Sequence, residues 1–353
     1  MNKKKKRILA FVITLVVMVV LIIPMAATSI IYEKNFGVRY ETRGWWINDI
    51  SDYEGLAREK TSIVSDKGQK LAAYTYYNKD TMVPKGVVVL AHGLGAGHMA
   101  YMNQIDYLTK NDFLVFTYDV TGNDESEGRS IKGIPQAVID LDKAITYVEN
   151  NDKFKGLPIM LYGHSWGGYA VSTVLNYDHD ISAVVEMSGF NSSQDIILEK
   201  GQGLYGGMIN VLSPYIKVYE WLKFGDVSKL TALDGFKKTN AKVLLIHGDK
   251  DKTVSYTNNF KKYMSILGDD NDFTFERADN YGHQIAFSKE YNKKVSAYKK
   301  EAISVYGDIN SIPEEAQQEL IDTIKSLPDK LNNERMEGIV QFYNEVINQD
   351  YEY

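Results

Sequence analysis

The stretch YGHSWGGYA, from Tyr162 to Ala170, sets a serine among three glycines. Glycine weakens regular structure, so a chain gathers it where backbone must bend sharply or approach something closely. Gly163-His164-Ser165-Trp166-Gly167 reads G-x-S-x-G, at the point where the apolar run PIMLYGH gives way to the helical pattern YAVSTVLNY. That context is a nucleophile elbow, a tight strand-to-helix turn that stands the serine hydroxyl clear of a sheet. A serine hydroxyl is a weak nucleophile and needs a base. Six histidines are available: His92, His98, His164, His179, His247 and His283. On an elbow of this kind the partners follow in chain order serine, acid, histidine. His283, in NYGHQ, is the histidine beyond the acidic turn HGDKD. Asp249 and Asp251 both qualify as the acid by position, and their spacing does not separate them. The acid would hold the imidazole in one tautomer and stabilise the imidazolium. A tetrahedral intermediate also needs oxyanion donors. The backbone N–H groups of Trp166, just after the serine, and of Leu94, in the LGAG loop, are the candidates. No cysteine and no H-E-x-x-H pattern is present, so a thiolate nucleophile, a disulfide scaffold and metal catalysis have no support. No cofactor is expected.

These residues need a scaffold. GVVVLAHG, FLVFTYD, PIMLYGH, ISAVVEMSG and AKVLLIHG are continuous apolar runs, as the doubly buried strands of a parallel sheet require. Helical patterns such as IPQAVIDLDKAITYVENN alternate with them, which predicts a doubly wound α/β domain. TSIVS and KLAAYTYY read as a strand pair joined at DKG, and FTFERA as the last strand. Residues 191–240 are too long for a plain crossover. With Tyr205, Met208, Tyr215, Tyr219, Trp221 and Phe224 they predict a helical cap over the strand ends. Residues 287–335 form a charged helical insertion, in which SIPEE predicts a capping box with Ser311 as N-cap. MEGIVQFYNEVI closes the chain as an amphipathic helix.

The beginning of the sequence reads as a membrane device. KKKKR precedes an uncharged run from Ile8 to Tyr32, and about 20 apolar residues span a bilayer. Residues 1–7 are expected in the cytoplasm, 8–32 as a transmembrane signal anchor, and 33–60 as a juxtamembrane stalk. Residues 61–353, the catalytic domain, would then stand outside the cytoplasm. The alternative is a signal peptide cleaved near ATS at Ala27–Ser29, leaving a secreted protein. Trp45 and Trp46 in the stalk would pack on the domain or touch lipid headgroups. The formal net charge is −6 although five basic residues crowd the first seven positions, and so acidic a body argues against nucleic-acid binding.

From about Lys60 onward the pieces SDKGQKLAAY, LAHGLGAG, YDVTGNDESEG, GHSWGG, HGDKDKTV and GHQ resemble the α/β-hydrolase superfamily. The match is to its lysophospholipase, monoacylglycerol lipase and serine aminopeptidase-like group. The resemblance implies an α/β-hydrolase fold with a helical cap, here preceded by one transmembrane helix. In the family's HG-x-x-D-x-x-V pattern the acid falls on Asp251, and the first oxyanion donor on Leu94. The family's D-x-R-G-x-G-x-S is altered: Thr121 stands in place of the arginine and Asp124 in place of the second glycine. The implied function is a membrane-anchored serine hydrolase acting on lipid-derived or other small acyl esters. Amide cleavage, as in aminopeptidase relatives, is the alternative. A non-enzymatic surface protein on the same scaffold would have no need of Ser165, Asp251 and His283 together.

Overall fold

The computed structural model describes residues 2–44, 47–308 and 311–350; Trp45 and Trp46, and the expectation for them, lie outside it. The uncharged run lies within one long helix of 34 residues, built of α1 (Lys3–Val17), a π turn (Met18–Ile22) and α2 (Ile23–Phe36). From Ile8 to Ile23 it is exposed all round, whereas Thr28 and Tyr32 are buried. Pro24 sits in the first turn of α2. Proline has no N–H to give to the carbonyl four residues back, and that carbonyl, Val20, instead accepts the Tyr215 hydroxyl at 2.5 Å.

An eight-stranded sheet follows. Its strands are β1 (Leu56–Val64), β2 (Lys70–Asn78), β3 (Gly86–Ala91), β4 (Phe113–Tyr118), β5 (Ile159–His164), β6 (Ala183–Met187), β7 (Lys242–Gly248) and β8 (Phe273–Ala278). The order is β1-β2-β4-β3-β5-β6-β7-β8. β2 is antiparallel to β1 and to β4, and β3 to β8 are mutually parallel. β3 to β6 are buried at every position, because helices cover both faces, and this explains their unbroken apolar sequences.

Between the strands lie α3 (Met102–Lys110), α4 (Gln136–Glu149) and α5 (Trp166–Thr173). β6 and β7 are joined by α6 (Ser193–Tyr205), α7 (Met208–Phe224) and α8 (Ala232–Phe236). α9 (Phe260–Leu267) precedes β8, and α10 (Lys289–Tyr306), α11 (Glu314–Lys325) and α12 (Asn333–Asp350) end the chain. α4, α5 and α9 bury one face of the sheet, and α3 and α12 the other. α10 and α11 pack on each other around Ile312, Leu320 and Ile324.

One expectation needs correction. α11 begins at Glu314 with Pro313 at its N-cap, and no side chain caps it. Ser311 cannot be that cap, because the residue before a proline, Ile312, is pushed out of the helical region. The segment from 33 to 60, expected as a juxtamembrane stalk, lies against the domain. α2 reaches Phe36 and β1 starts at Leu56, and the strap between them is pinned to the domain. The Arg39 guanidinium donates to the Ser126 and Gly128 carbonyls, both at 2.9 Å. Asp124 takes the Thr42 N–H on one carboxylate oxygen and its hydroxyl on the other, both at 2.6 Å. The Thr42 hydroxyl oxygen in turn accepts the Gly97 N–H. Asp124 has φ +36°, a left-handed conformation compatible with the glycine of the family pattern, and its carboxylate does the docking.

Candidate active site

Ser165 lies between β5 and α5 with φ +59° and ψ −114°, a conformation that costs a non-glycine residue of order 1–3 kcal/mol and clusters at functional sites. The flanking glycines make the turn possible. A Cβ on Gly163 would lie 2.2 Å from the Gly167 carbonyl oxygen, and one on Gly167 would lie 1.9 Å from that of Ala91. The Ser165 N–H is held by the Met187 carbonyl at 2.8 Å, and the Trp166 indole N–H by that of Ile134 at 2.8 Å.

His283 comes from the loop after β8 and Asp251 from the turn after β7. The His283 Nδ1 donates to Asp251 Oδ2 at 2.7 Å. The other Asp251 oxygen accepts the N–H groups of Thr253 at 2.7 Å and Val254 at 3.0 Å. His247 Nε2 lies 3.4 Å from Asp251 Oδ2. Burial works to raise the Asp251 pKa, but hydrogen bonds from His247, His283 and the backbone outweigh it and hold the carboxyl far below the usual range. Asp249 is used elsewhere: it accepts the Asn280 N–H at 2.7 Å and the Arg277 guanidinium at 3.1 Å. The structure therefore brings Asp251, and not Asp249, to His283.

Trp166 is the first residue of α5, so its N–H has no acceptor within the helix. Leu94 precedes Gly95, whose φ of +79° turns the chain. Both line the same cavity as Ser165 and His283. The cavity has a volume of about 360 Å³. Its walls are apolar, with Phe36, Ile134, Phe190, Ile196, Val254 and Phe287 among them.

A buried polar relay, not foreseen from the sequence, links the three parts. The Gly93 N–H donates to the Tyr101 hydroxyl oxygen at 2.8 Å. That hydroxyl lies 3.2 Å from His164 Nδ1, and His164 Nε2 lies 3.0 Å from the His283 carbonyl oxygen. A carbonyl only accepts, so His164 is protonated on Nε2, and Nδ1 receives the tyrosine proton. Burial, reinforced by the neighbouring His283, pushes the His164 pKa down to about 3, so the ring is neutral at ordinary pH. One imidazole thus joins the Leu94 loop, the elbow and the histidine loop. The sequence signal was the histidine inside the G-x-S-x-G motif itself.

The cap reaches the site through its first helix. α6 supplies Ile196, Ile197 and Lys200. Of the aromatic cap residues, Tyr215 and Tyr219 bond the N-terminal helix, Phe224 packs beside Gly133, and Trp221 is half exposed. Phe36, from the end of the N-terminal helix, takes a place in the wall that the sequence had not suggested.

The sheet order, the elbow and the crossover helices are those of the α/β-hydrolase fold, as expected from the sequence. Residues 83–232 match the family model described as serine aminopeptidase, S33. The monoglyceride lipase of Saccharomyces cerevisiae is 30% identical over 136 residues, 37% of this chain and 42% of that protein. The human monoglyceride lipase is 32% identical over 107 residues, 30% of this chain and 34% of that protein. This chain thus spans less than half the length of these relatives. An esterase of Pyrococcus furiosus superposes with a TM-score of 0.54 at 18% identity, over 75% of this chain and 98% of that one. In residues 83–232 the chain is similar to serine aminopeptidase-like sequences, over part of its length it is similar to monoglyceride lipases, and its fold is that of the α/β-hydrolases.

Proposed function

We propose that this chain is a membrane-anchored serine hydrolase that cleaves carboxylic acyl esters through an acyl-enzyme. The observation that carries the reading is the convergence on one apolar cavity of a strained Ser165 and of His283 hydrogen-bonded to Asp251. In this mechanism His283 Nε2 takes the Ser165 proton as Oγ attacks the ester carbonyl. The Asp251 carboxylate holds Nδ1–H and stabilises the imidazolium. The N–H groups of Leu94 and Trp166 receive the oxyanion. Collapse expels the alcohol, which takes the proton from His283 and leaves acyl-Ser165. Water, activated by the same imidazole, then releases the acid and restores the serine.

An acyl ester suits the walls better than a peptide amine does. An aminopeptidase must hold a substrate ammonium. Among the described residues lining the cavity there is no aspartate or glutamate, and the one lysine, Lys200, would repel that charge. The monoglyceride lipase relatives point the same way. The exposed apolar helix, preceded by the basic cluster, supports an anchor with the catalytic domain outside the cytoplasm.

The test is a substrate panel on the full chain in membranes, with Ser165→Ala as the blank. Long-chain monoacylglycerol or lysophospholipid should turn over faster than short esters, and both faster than aminoacyl anilides. Efficient release of N-terminal amino acids with a flat acyl-length profile would replace this reading with the peptidase one.

A further inference from the structure

The turn between α6 and α7 has a property that roofing a pocket does not require. From Gly201 to Ile216 the sequence holds no charged residue. Leu204, Met208 and Val211 stand 72%, 73% and 68% exposed. A cluster of large apolar side chains in the open marks a contact surface, and the neighbouring element says which kind. Tyr215 bonds the Val20 carbonyl inside the uncharged run. Towards the domain the polar contacts resume: Tyr219 and Lys223 both bond Glu33, and Tyr32 donates to Glu220 at 2.9 Å. α7 therefore runs beside the N-terminal helix in the same direction, with its first turns towards the uncharged end. A hydrocarbon core of about 30 Å takes roughly 20 helical residues. Counted from Ile8, that depth reaches about Ala27, so Val20 lies inside it. The start of α7 lies at least as deep as Tyr215.

Between α2 and this hairpin is a second, narrower apolar cavity of about 80 Å³, lined by Thr28, Ile31, Leu204, Ile209, Leu212 and Ile216. It shares Phe36, Ile197 and Lys200 with the cavity that holds Ser165. The two adjoin, and together they lead from the serine towards the depth of the acyl chains.

We propose that the N-terminal helix and the α6–α7 hairpin form a lateral portal. The hairpin tip sits in the same leaflet as α2, and a lipid acyl chain passes between them from the bilayer to Ser165. The helix is then a wall of the substrate route as well as a tether. This rests on the hydrolase and anchor reading above and adds the route by which substrate arrives.

The chain has no cysteine, so a single Leu204→Cys or Met208→Cys takes an environment-sensitive dye cleanly. In the full chain reconstituted into phosphatidylcholine vesicles, the dye should shift to the blue and be quenched by lipids brominated along the acyl chain. A dye quenched from water and untouched by brominated lipid overturns the portal. So does shielding that appears only as protein density rises, which would make the hairpin a contact between copies. The second arm uses Met208→Asp combined with Val211→Asp. Labelling of Ser165 by hexadecyl fluorophosphonate dissolved in the vesicles should fall at least tenfold relative to labelling by ethyl fluorophosphonate from water. An unchanged ratio overturns the portal. If the ethyl probe leaves Ser165 unlabelled in every form, the hydrolase reading has failed, and the depth measurement alone decides where the hairpin sits.

Discussion

The His164 ring and the main chain of His283 are hydrogen-bonded at 3.0 Å, from imidazole Nε2 to carbonyl oxygen. The residue before Ser165 thereby holds the loop that carries His283. Tyr101 completes the tie by bonding His164 on one side and the Gly93 N–H on the other. Tyr101→Phe leaves a buried N–H and a buried imidazole nitrogen each without a partner, at about 1–3 kcal/mol apiece. We expect kcat to fall about tenfold or more with KM little changed, because the loops rather than the acyl walls are loosened. Steady-state kinetics on a soluble ester checks this, and a rise in KM alone would contradict it.

Asp251→Asn should lower kcat by roughly 10⁴, since the amide disturbs the tautomer that aims His283. Asp249→Asn, at a carboxylate paired with Asn280, Arg277 and Lys250, should stay within about threefold, an ordinary surface effect. Ser165→Ala should abolish both turnover and fluorophosphonate labelling. The reverse order of damage between the two aspartates would remove Asp251 from the mechanism.

Glu220 gives a stability prediction with a definite sign. Burial pushes its carboxyl up from 4.5 to about 7, against hydrogen bonds from Ser193 and Tyr32. Between those two values the folded chain keeps a proton that the unfolded chain has lost. The contribution to stability is therefore full below about 4.5 and is lost as pH rises towards 7. Glu220→Gln should flatten the fall in Tm across that window and raise Tm at pH 8. Glu186, also pushed to about 7 by burial, titrates in both proteins, so the difference between their profiles isolates Glu220. Thermal scans in detergent from pH 4 to 8 would show it.

Gly167→Ala should prevent folding or cost more than a hundredfold in activity, since the new methyl meets the backbone of β3. A Cβ on Gly338, inside α12, meets nothing within 4 Å. Gly338→Ala should therefore stabilise the protein by about 0.5–1 kcal/mol. Expression yield, circular dichroism and Tm separate the two cases.

What the sequence made legible was what short-range chemistry decides. The elbow is local: glycines, a strand before and a helix after. The buried strands announced themselves because both their faces are covered. The choice between Asp249 and Asp251 was not local. It depends on Thr253 and Val254 turning one carboxylate inward while Asn280 and Arg277 keep the other outside. Tyr101 lies 63 residues before His164, and no periodicity connects them. The cap was legible, but its helices carry apolar residues for two partners. Ile196 and Ile197 of α6 face the site, and Tyr215 and Tyr219 of α7 face the N-terminal helix. An apolar pattern reports that a face is covered, and does not report by what.

The strap from Arg39 to Thr42 has a kinetic consequence. With Asp124 gripping it on the domain side and Lys223 gripping Glu33 on the helix side, the proposed anchor would leave little free chain between membrane and active site. For an enzyme held this way the catalytic domain has a fixed height and facing, and does not sweep through the surrounding water. Encounter with a substrate in the same bilayer would then be two-dimensional. Its rate follows the mole fraction of ester in the surface, so inert lipid added at constant ester should slow turnover by dilution alone.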